Sequence, residues 1–98
     1  MMQTYMVEFE LPEFHIEQLH ERIPEQQKEM EIMMTEGIIK SYSFSSAYSK
    51  FWIIANAESE FEIMNIIAKF PLNDFLIPSI MPLMFSKTSQ VVREYALN

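Results

Sequence analysis

Hydrophobic and polar residues alternate from Gln3 to Leu11, with Tyr5, Val7, Phe9 and Leu11 on one side and Met6, Glu8 and Glu10 on the other. A period of two is that of a strand whose successive side chains point to opposite faces, and Pro12 ends it. The period then lengthens. Phe14, Ile16, Leu19, Ile23, Met30, Met33 and Met34 fall near helical spacing with acidic residues between them, which predicts an amphipathic helical region from Glu13 to Glu36. Pro24 interrupts that region. An interior proline removes a hydrogen bond and clashes with the carbonyl four residues back, whereas at a first helical position it costs nothing. The pattern therefore predicts a short helical turn and then a main helix from Pro24 to Glu36, with one kinked continuous helix as the alternative. Gly37, the only glycine, follows where a left-handed residue would close the last carbonyls of a helix.

Ile38 to Ser45 and Lys50 to Ala57 are rich in aromatic and β-branched residues and flank Ser46-Ala47-Tyr48-Ser49, which predicts a hairpin. A turn centred on Ala47 and Tyr48 sets Ser43 opposite Trp52, Tyr42 opposite Ile53 and Ser41 opposite Ile54. One face then carries Tyr42, Phe44, Phe51, Ile53 and Ala55, and the other Ser41, Ser43, Ser45, Trp52, Ile54 and Asn56. Ser59-Glu60-Phe61-Glu62 reads as a capping box, opening a helix on which Phe61, Met64, Ile67 and Ala68 follow until Phe70-Pro71 stops it. Leu76 to Phe85 reads as a last strand, which Pro78 and Pro82 confine to a sheet edge or a bulged path.

The order β-α-β-β-α-β predicts a ferredoxin-like α+β fold, a four-stranded antiparallel sheet with two helices on one face. It spans one domain over residues 1–85, followed by a C-terminal tail or dimer arm over 86–98 with weakly amphipathic Val91, Val92, Tyr95 and Leu97. The face away from the helices keeps Met6, Trp52, Ile54 and one side of the last strand. An apolar sheet face needs cover, and a second copy of the sheet is the simplest one, so a homodimer or higher homo-oligomer is expected.

Composition narrows the partners. A formal charge of −7 with seven scattered basic residues argues against nucleic acid or an anionic membrane surface. The lack of cysteine excludes disulfides and thiolate chemistry, and with no export signal or apolar span in the sequence the expected location is cytoplasmic. Nine methionines supply soft packing for a core or an apolar pocket.

Among candidate chemical groups, Glu8 lies mid-strand on the face a partner sheet would cover. Desolvation there would raise its pKa toward the range of a general base; the plainer reading is a solvated rim carboxylate. Trp52, Asn56, Ser43 and Ser41 share that face and would give a ligand pocket one aromatic wall and several polar groups, or Trp52 would simply fill the interface. Tyr42 and Tyr48 offer phenolic donors for an enolate-like oxygen. His15 and His20 are five apart and do not share a helix face as a metal pair would, so no metal site is expected. One glycine cannot build a phosphate loop, and the serines from Ser41 to Ser49 have no adjacent histidine to activate them.

Phe9-Glu10-Leu11-Pro12 closing the first strand, Glu36-Gly37 closing the helix, Ser59 opening the second helix and Phe70-Pro71-Leu72 leading into the last strand together resemble the muconolactone isomerase family of the dimeric α/β-barrel superfamily. The spacing fits without a gap from Gly37 to Leu83. The resemblance implies a cofactor-free proton shift beside the carbonyl of a small unsaturated lactone, which requires a base, an acid and a group to stabilise the dienolate; from the residues themselves, Glu8 is the candidate base and Tyr42 or a serine the candidate proton donor. The chain departs from that family where members carry basic and His side chains, having Glu8, Glu10, Ser41, Tyr42 and Ser43 instead. Two other readings stand beside the isomerase: a non-catalytic homodimer that binds a small apolar or carbonyl-containing ligand or is purely structural, and a cofactor-free or haem-binding monooxygenase of the same superfamily using Asn56, Trp52 and a histidine.

Overall fold

A computed structural model describes residues 2–14 and 16–85, so His15 and the C-terminal tail from Ser86 lie outside the described residues. Strand β1 (Gln3–Glu10) leads into helix α1 (Ile16–Thr35), strands β2 (Ile39–Phe44) and β3 (Lys50–Ala57) form the hairpin, and helix α2 (Glu60–Ile67) precedes the last strand, β4 (Ile77–Leu83). The strands lie in the order β2-β3-β1-β4, every neighbouring pair antiparallel. This is the ferredoxin-like α+β arrangement that the alternation predicts.

Backbone chemistry explains the order of the sheet. Pro78 and Pro82 lie opposite Phe9 and Tyr5. Without N–H groups they belong to non-hydrogen-bonded pairs, with their nitrogens turned away from β1. β4 is therefore suited to the edge it occupies. In the hairpin, Tyr42 pairs with Ile53, Ser43 with Trp52 and Phe44 with Phe51, as the turn position predicts, and a bulge at Lys40 shifts the register so that Ile39 meets Ala55. Ser45 Oγ accepts the N–H groups of Ser49 and Lys50, both at 3.0 Å, and closes the turn.

The helix side holds the core. Phe44, Phe51 and Phe9 are neighbours across three strands and stack at 4.4 and 5.0 Å between ring centroids, with Phe70 tilted against both Phe9 and Phe51. Such offset aromatic pairs add to the burial of their surface. α1 buries Leu19, Ile23, Gln26, Met30 and Met33, spacings of three and four that keep one stripe on the sheet. Phe14, Ile16 and Met34, expected in that stripe, are exposed.

Two helical expectations are corrected. α1 runs unbroken through Pro24 rather than starting there, the alternative that the sequence left open. Pro24 is on the exposed side, and so is His20, whose carbonyl would have accepted the missing N–H and is left to solvent. On α2 the buried residues are Ile63, Ile66 and Ile67, while Phe61 and Met64 face outward at 75% and 46% exposure. Ile63, Ile66 and Ile67 form the i, i+3, i+4 stripe that packs, and Phe61 and Met64 lie outside it. Ser59 caps it by accepting the N–H of Glu62, but the Glu62 carboxylate returns to the N–H of Glu58, one residue before the usual target.

Gly37 closes α1 at φ +80, with its N–H on the Met34 carbonyl and the Ile38 N–H on the Met33 carbonyl, at 3.1 and 2.9 Å. That pair of bonds is the Schellman pattern. Farther up α1, the fully buried Gln26 accepts the Leu72 N–H at 3.1 Å, and Arg22 reaches the Pro71 carbonyl, Asp74 and the Phe75 ring. One turn of α1 thus fixes the connection between α2 and β4 and returns β4 to the side of β1. No described helix is long and apolar enough to cross a membrane.

Candidate functional site

The hairpin sets the geometry of the open sheet face. Asn56 N–H bonds the Ile38 carbonyl, and the Lys50 carbonyl accepts the Ser45 N–H, so even-numbered residues of β3 direct their backbone toward β2. Trp52 is one of them. Its pairing with Glu8 on β1 is consequently non-hydrogen-bonded, the kind in which side chains come closest. Two rows of neighbours cross all four strands: Ser43, Trp52, Glu8 and Ser79, and beside them Ser41, Ile54, Met6 and Met81.

The Trp52 indole N–H donates to Glu8 Oε1 at 2.9 Å, and Lys50 Nζ lies 3.4 Å from Oε2. Each carboxylate oxygen therefore has one donor. Trp52 and then Lys50 hold the Glu8 carboxyl below its ordinary 4.5, with partial desolvation opposing them. The direction is opposite to the one expected from a covered sheet, because in the single chain the Glu8 side chain is 41% exposed and both donors favour the charged form. A pair this accessible contributes little to stability. Its effect is on the position and charge of Glu8.

Two shallow depressions flank Met6. One, of about 220 Å³, is lined by residues including Ser41, Ser43, Trp52 and Ile54. The other, of about 180 Å³, is lined by Met6, Glu8, Ser79, Ile80 and Met81. Glu8, Trp52, Ser41 and Ser43 are thus brought together as the sequence predicts. Lys50, Met6, Ser79 and Met81 were not in the predicted set. The parity of β3 alone puts Lys50 on the Trp52 face, whereas Ser79 and Met81 require the register of β4 against β1, which no short-range pattern carries.

Tyr42 borders the first depression but turns its hydroxyl to the other face, and Asn56 keeps the Trp52 face without lining either depression. The Tyr42 hydroxyl donates to Glu31 Oε1 on α1 at 3.3 Å, on the opposite side of the sheet from Glu8. Burial, then the Glu31 charge and hydrogen bond, raise its pKa above 10.0. An acid–base pair of Glu8 with Tyr42 is therefore not assembled in the chain. Asn56 donates to the Gly37 carbonyl and accepts from Thr4 Oγ1, both at 3.2 Å, tying the helix end to the sheet. Tyr48, at φ +55 in the hairpin turn, packs edge-on against His20 and Phe44 on the helix side. Among the described residues, no group of three or more His, Asp or Glu side chains is gathered to hold a metal ion.

The sheet and helices define the chain as a ferredoxin-like α+β protein with a polar pair set in an apolar open face. No family model matches the chain, and no curated protein matches it. Among solved structures it is similar to the 5-chloro-2-hydroxyhydroquinone dehydrochlorinase of Burkholderia phenoliruptrix AC1100, in complex with 2,5-dihydroxybenzoquinone. The TM-score is 0.69 over 85% of this chain and 95% of that one, at 8% identity. At that identity the likeness speaks to the fold. The neighbour is an enzyme that processes a small molecule on this fold.

Proposed function

We infer that the chain is a muconolactone isomerase-like protein working as a homodimer of face-to-face sheets on a small carbonyl compound. The compound would lie over Met6 and Trp52. The observation that carries this reading is the Glu8 carboxylate, clamped by Trp52 and Lys50 above an apolar floor. Met81 and Ile77, at 62% and 65% exposure, flank it on β4, and such a surface calls for cover. The solved neighbour supports the choice of a small ring compound, because its ligand is one.

An ionised Glu8 is competent as a base without a second acid. It would take the proton from the carbon beside the carbonyl; the C–H electron pair forms the new C=C and the carbonyl π pair moves onto the oxygen. Lys50 and Trp52, already directed at the carboxylate, can turn their N–H groups toward that oxygen as Glu8 becomes neutral. Glu8, which exchanges its acid proton with solvent while neutral, then gives a proton to the far carbon of the dienolate, and the double bond has moved, or returns one to the first carbon. One carboxylate serves both steps, so the location of Tyr42 is no obstacle.

A second reading is favoured by the depressed pKa of Glu8, which weakens it as a base and suits it to accept a ligand's hydrogen bond in a purely binding homodimer. Deuterium exchange separates the two. Small cyclic enones and unsaturated lactones are incubated with the protein in D2O, and wash-in beside the carbonyl is followed by NMR. Catalysis predicts exchange that falls about a hundredfold or more in Glu8→Gln. Binding without exchange in the intact protein would leave the second reading.

A further inference from the structure

The geometry points to an uncharged ligand in this site: a hydroxyl-bearing or carbonyl-bearing ring with no carboxylate or phosphate. This rests on the reading above that the open sheet face is the ligand site. Among the described residues, neither depression beside Met6 is lined by Lys, Arg or His, and the one carboxylate lining them is Glu8. Lys50, on the same face of β3, is already held by Glu8 Oε2. Among the described residues an anionic ligand would thus meet a carboxylate held in its charged form and no cation lining the depressions. The other polar groups around the two depressions include the hydroxyls of Ser41, Ser43 and Ser79, which bond to neutral oxygens or hydroxyls as readily as to charged ones. Met6, Trp52, Ile54 and Met81 supply the apolar contact a ring needs.

A matched pair of probes tests it. Resorcinol and 3-hydroxybenzoate share a ring and one hydroxyl and differ in whether the second substituent is neutral or charged. Each is titrated into the protein by calorimetry, with the fluorescence of Trp52, the only tryptophan, reporting whether binding is at this face. Resorcinol is expected to bind about tenfold or more tighter, the factor a like charge at a few ångströms and intermediate dielectric produces. In Glu8→Gln the site loses its negative charge and frees Lys50, so 3-hydroxybenzoate should gain affinity and the gap should close. Gained binding cannot come from a misfolded variant. In Lys50→Met the gap should widen. Equal or tighter binding of 3-hydroxybenzoate by the unaltered protein overturns the selectivity while leaving the site in place. Failure of both probes to perturb Trp52 removes the site and this inference with it.

Discussion

Replacing Phe51 with alanine tests whether the aromatic row is the mechanical centre of the domain. Phe51 has no exposed surface, stacks on Phe44 at 4.4 Å and on Phe9 at 5.0 Å, and meets Phe70 at 6.3 Å. Its strand is central, so β1 and β2 hold it on both sides and the cavity has little freedom to collapse. A phenylalanine removed from such a site costs about 3–5 kcal/mol. A chain of 98 residues is stable by roughly 5–15 kcal/mol, so about a fifth or more of the total is at stake. The corresponding fall in melting temperature is about 12–40 °C. Urea unfolding followed by far-UV circular dichroism, at one fixed protein concentration, measures it, with Phe61→Ala as the reference. Phe61 is 75% exposed and its loss should change stability by no more than about 0.5 kcal/mol. A loss below about 1 kcal/mol at Phe51, or equal losses at the two positions, would refute the packing argument.

Trp52→Phe removes the largest cause of the depressed Glu8 pKa, so the carboxyl should titrate closer to 4.5, which carbon-detected NMR of the side chain reads directly. Because the folded value lies below the unfolded one, the stability linked to Glu8 is present above about pH 4.5 and lost as pH falls through the folded value, and that acid-side loss should shrink in the variant. Gly37→Ala should cost about 1 kcal/mol in thermal or urea unfolding, entirely from the left-handed backbone, since a Cβ there meets nothing within 4 Å. Glu31→Gln should bring the Tyr42 pKa down only part of the way in an ultraviolet titration, because burial is the larger cause and remains.

What could be read without the structure follows from how local each signal is. The pairing of Ser43 with Trp52 needs only a turn position, Gly37 only the end of a periodic run, and the edge placement of β4 only the missing N–H groups of Pro78 and Pro82. The buried side of α2 is harder to read, because Phe61 and Met64 widen the apolar sector beyond the Ile63, Ile66 and Ile67 stripe that packs. Gln26 falls between Ile23 and Met30 on the buried stripe, where a polar residue is recognised as core only once the Leu72 N–H is seen to need an acceptor. Glu8 was visible as a mid-strand carboxylate, but its charge state depended on Trp52 and Lys50 from a strand more than forty positions away. Tyr42 was already on the core-side face by parity. Its contact with Glu31 makes that placement concrete and separates it from Glu8.

The proposed function requires that a second copy cover the Trp52 face and complete the working site. Acrylamide quenching of the single tryptophan, measured across a dilution series alongside sedimentation equilibrium, tests both parts at once. The account predicts a species of twice the 11.7 kDa chain mass with shielded Trp52, and quenching that rises as dilution returns the monomer. A stable monomer at high concentration, or a dimer in which Trp52 remains as accessible as in the diluted chain, would contradict it.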